Sequence, residues 1–119
     1  MNPASAVLSA LREEVENAAR RAGRPVPRLL AVSKTQPAEA VARLADAGQR
    51  AFGENYVQEA LGKIRALSGR GLEWHLIGHL QSNKAREAAQ YFDWVQTVDR
   101  PKLVAALAAH RPPELTALN

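Results

Sequence analysis

Lys34 closes the run "LLAVSK", residues 29–34, and an ammonium group is an unusual end for a buried strand. Residues 29–33 are apolar or small, so the chain is expected to run extended there, covered on both faces. A lysine amine attacks a carbonyl only as the neutral base, so a reactive lysine needs desolvation or a nearby cation. A strand end in a barrel mouth supplies the desolvation. The matching electrophiles are a sugar-like carbonyl or the aldehyde of pyridoxal 5'-phosphate (PLP). The plainer alternative is a solvated surface lysine, which is commoner at strand ends.

Other residues are candidates for the same edge. Asn55, in "FGEN", offers an uncharged donor and acceptor that would hold a ligand hydroxyl. Its alternative role is a cap on the helix opening "YVQEA". His75 and His79 flank "LIG" at a spacing that suits a metal on a helix. The segment reads as a strand, where that spacing is about two pleats and too far for one ion. No metal site is expected, and His75 is expected to pack. Gly78 permits close backbone approach, by a ligand or by a neighbouring strand. Ser82 or Asn83 is expected to cap the helix that follows, and Asp99 the last helix. Glu54, Glu59 and Glu73 have no spacing that places two of them in one pocket. There is no glycine-rich phosphate loop, Walker pattern or nucleophile elbow.

The elements that must position these residues alternate. A first helix is expected from an Asn2 cap and Pro3 to about Gly23, with Leu8, Leu11, Val15 and Ala18 on one face. Strands are then expected at 29–34, 50–55, 72–79 and 93–99, with helices at 36–48, 56–67, 82–92 and 101–110. One strand and one helix per period, with no hairpin signal, predicts parallel βα units. Right-handed crossovers put every strand C-terminus on one edge of the sheet. That edge receives Lys34, Asn55, Gly78, His79 and Asp99, and it is where such folds place their chemistry. The closing "LTALN", residues 115–119, reads as the opening of a fifth strand.

Bulk properties set the limits. The 119 residues suit a single domain, 46% of them apolar and 24% charged, as in an ordinary soluble protein. A net charge of +4, spread along the chain, is poor evidence for nucleic acid. There are no cysteines, which excludes disulfides and thiolate chemistry. The N-terminus does not read as a secretory signal, and no stretch is apolar for long enough to span a bilayer. A cytoplasmic protein is the expectation, with no membrane or nucleic-acid partner. A (βα)8 barrel takes about 250 residues, so four units read as the front half of a longer barrel, apparently truncated before its fifth strand.

"LLAVSKTQP", "FGENYVQEALGKI", "LEWHLIGHLQSNK" and "FDWVQTVDR", in this order and spacing, resemble one family. It is the YggS/PROSC family of PLP homeostasis proteins. The resemblance runs from about Leu29 to the end of the chain. It implies an alanine-racemase-like (βα)8 TIM barrel, of which residues 1–119 supply an N-terminal helix and about four βα units. It implies PLP as cofactor, a Schiff base through Lys34, and a place near the cofactor for Asn55. Gln36 stands where many members carry a second lysine. The family's phosphate loops belong to later strands.

The leading functional expectation is a non-catalytic PLP-binding protein of PLP homeostasis, with no catalytic residues. The alternatives are a PLP-dependent, racemase-like enzyme, or a truncated product with no ligand. A racemase needs a base facing the cofactor opposite the lysine, which related enzymes take from an additional domain. A complete barrel is expected to be a monomer, whereas this half leaves sheet edges open to self-association.

Overall fold

The computed structural model describes residues 3–119. The expected Asn2 cap lies outside the described residues. The elements run α1 (Pro3–Ala22), β1 (Ala31–Val32), α2 (Ala38–Asp46), β2 (Ala51–Glu54), α3 (Val57–Ala66), β3 (Glu73–Leu76), α4 (Ala85–Tyr91), β4 (Trp94–Val95) and α5 (Pro101–His110). A 3-10 turn, Ser82–Lys84, leads into α4.

The sheet is parallel throughout, in the order β1-β2-β3-β4. A doubly wound sheet reverses its order at a switch point, and this one does not. Helices α1 to α5 pack each against the next in chain order. This is the run of parallel βα units expected from the sequence, as in part of a (βα)8 barrel. The Cα radius of gyration is 15.7 Å, above the roughly 13.5 Å of a compact domain of this length. The molecule is therefore less compact than a ball; with its strands in chain order and each helix packed on the next, it is described as an open arc.

Register divides the sheet into two faces. Ala31, Phe52 and Trp74 stand side by side, and so do Val32, Gly53 and His75. The first row meets the helices. Phe52 and Trp74 lie 5.7 Å apart by ring centroids, above a core that includes Leu76, Leu80, Phe92 and Leu103. Ala85, Ala88 and Ala89 are fully buried on α4. Their small side chains let that helix lie close to the sheet and to α5. The second row is the concave face of the arc, where Val32 remains 55% exposed.

Several expected bounds are revised. The first strand shrinks from 29–34 to Ala31–Val32. At its start the Gln49 amide donates to Leu29 O (2.7 Å) and Ala51 O (2.8 Å), doing with a side chain what a longer ladder would do. At its end the chain turns at Lys34. The fourth strand shrinks from 93–99 to Trp94–Val95, and Thr97 instead bonds Gly78 O through its hydroxyl at 2.5 Å. In the expected fifth strand, pairing begins at Asn119. Its N–H donates to Asp93 O (3.1 Å) and its carbonyl accepts from Val95 N (2.8 Å), a parallel pattern beside β4.

Helix details differ too. The buried face of α1 runs through Leu8, Arg12, Val15 and Ala19, so Leu11 and Ala18 are exposed. The helix is turned this way because the Arg12 guanidinium reaches Gly48 O and Gln49 Oε1, both at 3.1 Å. Ser82 and Asn83 lie inside the 3-10 turn and do not cap α4. Arg100 is the N-cap residue of α5, and no side chain caps that helix. Asp99 pairs with the Arg100 guanidinium at 2.6 Å instead, while Arg100 also donates to Leu80 O at 3.0 Å.

Gly78 is needed by the neighbouring strand. A Cβ there would lie 2.2 Å from Asn55 O and 2.8 Å from Asn55 Cα, and backbone cannot rotate away as a side chain can. Gly78→Ala is expected to destabilise the fold by about 1–3 kcal/mol. A fall in the denaturant midpoint, with an unchanged slope, would show it.

Candidate functional site

The chain leaves β1 through a tight turn. Ser33 N still pairs with Gly53 O (2.9 Å), and Gln36 N then returns to Ser33 O (3.1 Å). Lys34 and Thr35 are the two central residues. Thr35 has φ +63°, a conformation that this kind of turn usually reserves for glycine at its third position. A β-branched residue there is strained. Lys34 is exposed, and its amine has no hydrogen-bond or ion-pair partner among the described residues. Among the described residues no strand faces Lys34 from across the mouth, so these four units by themselves do not desolvate it.

Beneath the turn lies a charged cluster that the sequence reading did not find. Lys63, on α3, is only 6% exposed, and Glu54, at the end of β2, is fully buried. The Lys63 ammonium donates to Glu54 Oε1 (3.1 Å) and Oε2 (3.0 Å), to Glu59 Oε1 (2.9 Å) and to Ser33 O (2.7 Å). The Ser33 hydroxyl donates to Glu54 Oε2. Two of the three glutamates therefore do meet, contrary to expectation, with Lys63 between them. The fold brings β2 and α3 together around an ammonium that satisfies both. The i, i+4 spacing of Glu59 and Lys63 was the available signal. Such pairs are usually solvated, and spacing alone does not reveal burial.

Glu59 links the cluster to the turn. Its Oε1 also accepts the Thr35 N–H at 2.6 Å. The hydrogen bond from Lys63 holds the Glu59 carboxyl below its usual pKa, with burial opposing and the Thr35 N–H assisting.

Asn55 follows β2. The β1–β2 register, carried two residues beyond Val32↔Gly53, sets it beside Lys34. The N-cap of α3 is Tyr56, and no side chain caps that helix, so the capping alternative for Asn55 is not realised. Its Oδ1 is buried and has no partner among the described residues. A concavity at this edge is lined by Asn55, Gln58, Gly78, His79 and Lys84, among others. Lys34 is not one of its lining residues.

The two histidines are separate. His79 is exposed at the mouth. His75 is buried on the concave face, stacked on Trp94 with centroids 5.2 Å apart. Its Nε2 lies 2.6 Å from Glu73 Oε1 and its Nδ1 lies 2.9 Å from Gln96 Nε2. Burial raises the Glu73 pKa, but hydrogen bonds from His75 and Arg28 outweigh it and leave the carboxyl lowered. Among the described residues no group of three His, Cys, Asp or Glu is placed to hold a metal ion. No helix among them is long and apolar enough to cross a membrane.

The lowered Glu59 pKa gives the turn an acid limit. A carboxyl whose folded pKa is depressed stabilises the fold above its unfolded value, and that stability is lost as pH falls through the folded value. Protection of the Thr35 amide from hydrogen exchange should be full at neutral pH. It should fall on acidification below the ordinary glutamate range of about 4 to 4.5. Glu59→Gln should remove this acid step, as amide NMR across the titration would reveal.

Comparison with known proteins places this geometry. The family model of the alanine racemase N-terminal domain matches residues 7–118. The pyridoxal phosphate homeostasis protein of Escherichia coli is 52% identical, over 100% of this chain and 53% of its own length. That of Vibrio cholerae is 49% identical, over 89% and 48%. The chain thus spans about half the length of the curated relatives it matches. PipY of Synechococcus elongatus, solved with PLP bound, is 47% identical with a TM-score of 0.68, over 79% of this chain and 45% of that one. An unknown protein from Bifidobacterium adolescentis is 30% identical with a TM-score of 0.77, over 89% and 48%. The chain belongs to the family of the alanine racemase N-terminal domain, with the pyridoxal phosphate homeostasis proteins as its relatives across the whole of its length.

Proposed function

We propose that this chain carries the attachment lysine and one wall of a PLP site, in a protein that holds the cofactor without converting a substrate. One juxtaposition carries the reading. An unpaired lysine amine and an unpaired buried amide oxygen follow neighbouring strands at the edge where barrels keep their sites. The PLP bound to PipY and the name shared by the curated relatives support the choice of cofactor. That name describes control of a cofactor rather than conversion of an amino acid, which favours a holder over a racemase-like enzyme.

The residues present fit the group. PLP supplies an aldehyde that condenses with a primary amine, and a ring 3-oxygen, ionised at neutral pH, that accepts a hydrogen bond. Lys34 presents the amine on a turn held from below. Asn55 presents, through Oδ1, an acceptor without a donor. The same amide carries an NH2 that can donate to the ring oxygen, and no side-chain partner among the described residues competes for it. Gly78 lies against the Asn55 backbone and keeps the two strand ends close at this edge.

Borohydride reduction of the chain with PLP, followed by peptide mapping, should place the phosphopyridoxyl mass on the peptide containing Lys34. Lys34→Ala should abolish it while leaving the fold intact, because the side chain is exposed and unpaired. Label spread over Lys84 and Lys102 would reject the assignment. The loaded protein should exchange the α-proton of alanine or serine no faster than free PLP does, and faster exchange would reject the holder.

Asn55→Ala provides a second check. It should weaken PLP retention in dialysis, yet leave the thermal midpoint of the unliganded chain unchanged or slightly higher, because it deletes an unpaired acceptor. A large loss of stability would show that Asn55 is structural.

A further inference from the structure

The turn that carries Lys34 is closed by Gln36 N–H on Ser33 O (3.1 Å) and by the Thr35 hydroxyl on Lys34 O (2.6 Å), and neither bond relieves the strain at Thr35. Thr35 sits at φ +63°, where glycine would be at ease and a β-branched side chain is not. Nothing in "SKTQ" favours that conformation. Two contacts from outside the turn impose it, and both come from α3. Glu59 accepts the Thr35 N–H at 2.6 Å. Lys63 donates to Ser33 O at 2.7 Å, the same carbonyl that closes the turn through Gln36 N. Glu54 holds Lys63 in place from β2 through both carboxyl oxygens, so the clamp is referenced to the sheet.

We propose that Glu59 and Lys63, seated on Glu54, are positioning residues that hold the Ser33–Gln36 turn and thereby aim the Lys34 amine at the strand-end site. The inference rests on the reading that Lys34 is the attachment lysine. These side chains touch the turn and not the cofactor. Their effect passes through the backbone: with Thr35 released, the residue before it loses its fixed direction. Lys63 is a lysine in the same neighbourhood, but its ammonium is buried and fully bonded, so it is the clamp rather than a rival attachment point.

The structure specifies a rescue. In a Glu59→Ala chain the Thr35 amide should exchange with solvent faster. Borohydride-trapped labelling of Lys34 by PLP should slow about tenfold or more, within the ~10²-fold that a small misplacement costs. Glu59→Gln keeps an oxygen for the Thr35 N–H and should recover most of the rate. Thr35→Gly added to Glu59→Ala should also recover it, because glycine adopts the positive φ without the clamp. A role in stability alone would show as a fall and recovery of the thermal midpoint, so the labelling rates are compared well below every variant's midpoint, where all are folded and only positioning changes them. Wild-type labelling of Lys34 in Glu59→Ala would overturn the inference while leaving the attachment reading standing. So would a double variant that labels no faster than Glu59→Ala. If the wild-type chain carries no label on Lys34, the attachment reading fails and the inference fails with it. The amide exchange rates then still report whether the clamp holds the turn.

Discussion

The buried ammonium of Lys63 is the interaction on which the site depends. It joins three elements at one point: the end of β1 through Ser33 O, the end of β2 through Glu54, and α3 through its own backbone and Glu59. Removing charged groups from water is costly, and attraction between them offsets the cost only when each is well bonded. Here the ammonium meets four oxygens, and Glu54 also receives the Ser33 hydroxyl. Replacing such a cluster by apolar side chains often costs little stability. Direction is what apolar packing would not supply: hydrogen bonds tie α3 to a particular carbonyl of β1 and a particular N–H of the turn.

That direction matters because of where parallel strands end. In a sheet of order β1-β2-β3-β4, all C-termini share one edge, and each loop is pinned by the helix that follows or by a neighbour. At β1 the pin is the charged cluster. At β2 and β3 it is contact between backbones, with Gly78 leaving room for Asn55. At β4 it is the Thr97 hydroxyl on Gly78 O. The opposite edge is tied by a different device, in which Arg12 of α1 and Gln49 occupy carbonyls that a longer ladder would have used. Hydrogen bonds close the bottom of the arc, whereas the top keeps an amine and an amide oxygen that are unpaired among the described residues.

The concave face shows what an open arc leaves undone. His75 is buried there only because Trp94 stacks on it and Glu73 and Gln96 take its nitrogens. Val32, two strands away in the same row, stays more than half exposed. Lys34 follows the same rule, since desolvation needs walls on both sides. The sequence reading placed the lysine at the right edge, and its solvent exposure followed from the geometry of half a barrel.

The sequence by itself determined the alternation of strands and helices, their parallel arrangement, the edge that collects Lys34 and Asn55, and the family. These follow from hydrophobic period, from Gly and Pro punctuation, and from motifs in a fixed order, all of which are local along the chain. It also marked Gly78 as a point of close approach, without saying what approached. Tertiary structure alone decided the rest. It turned the buried stripe of α1 so that Arg12 reaches Gly48 and Gln49. It paired Asp99 with Arg100 instead of an α5 cap, and left Asn55 Oδ1 without a partner. It brought Glu54 and Glu59 onto one lysine. Ser33, Glu54 and Lys63 are far apart along the chain and carry no shared pattern. Their meeting depends on how far β2 extends and how α3 is rotated against it. Those quantities are set by packing around Phe52, Leu61 and Leu76, and packing is a property of the folded whole.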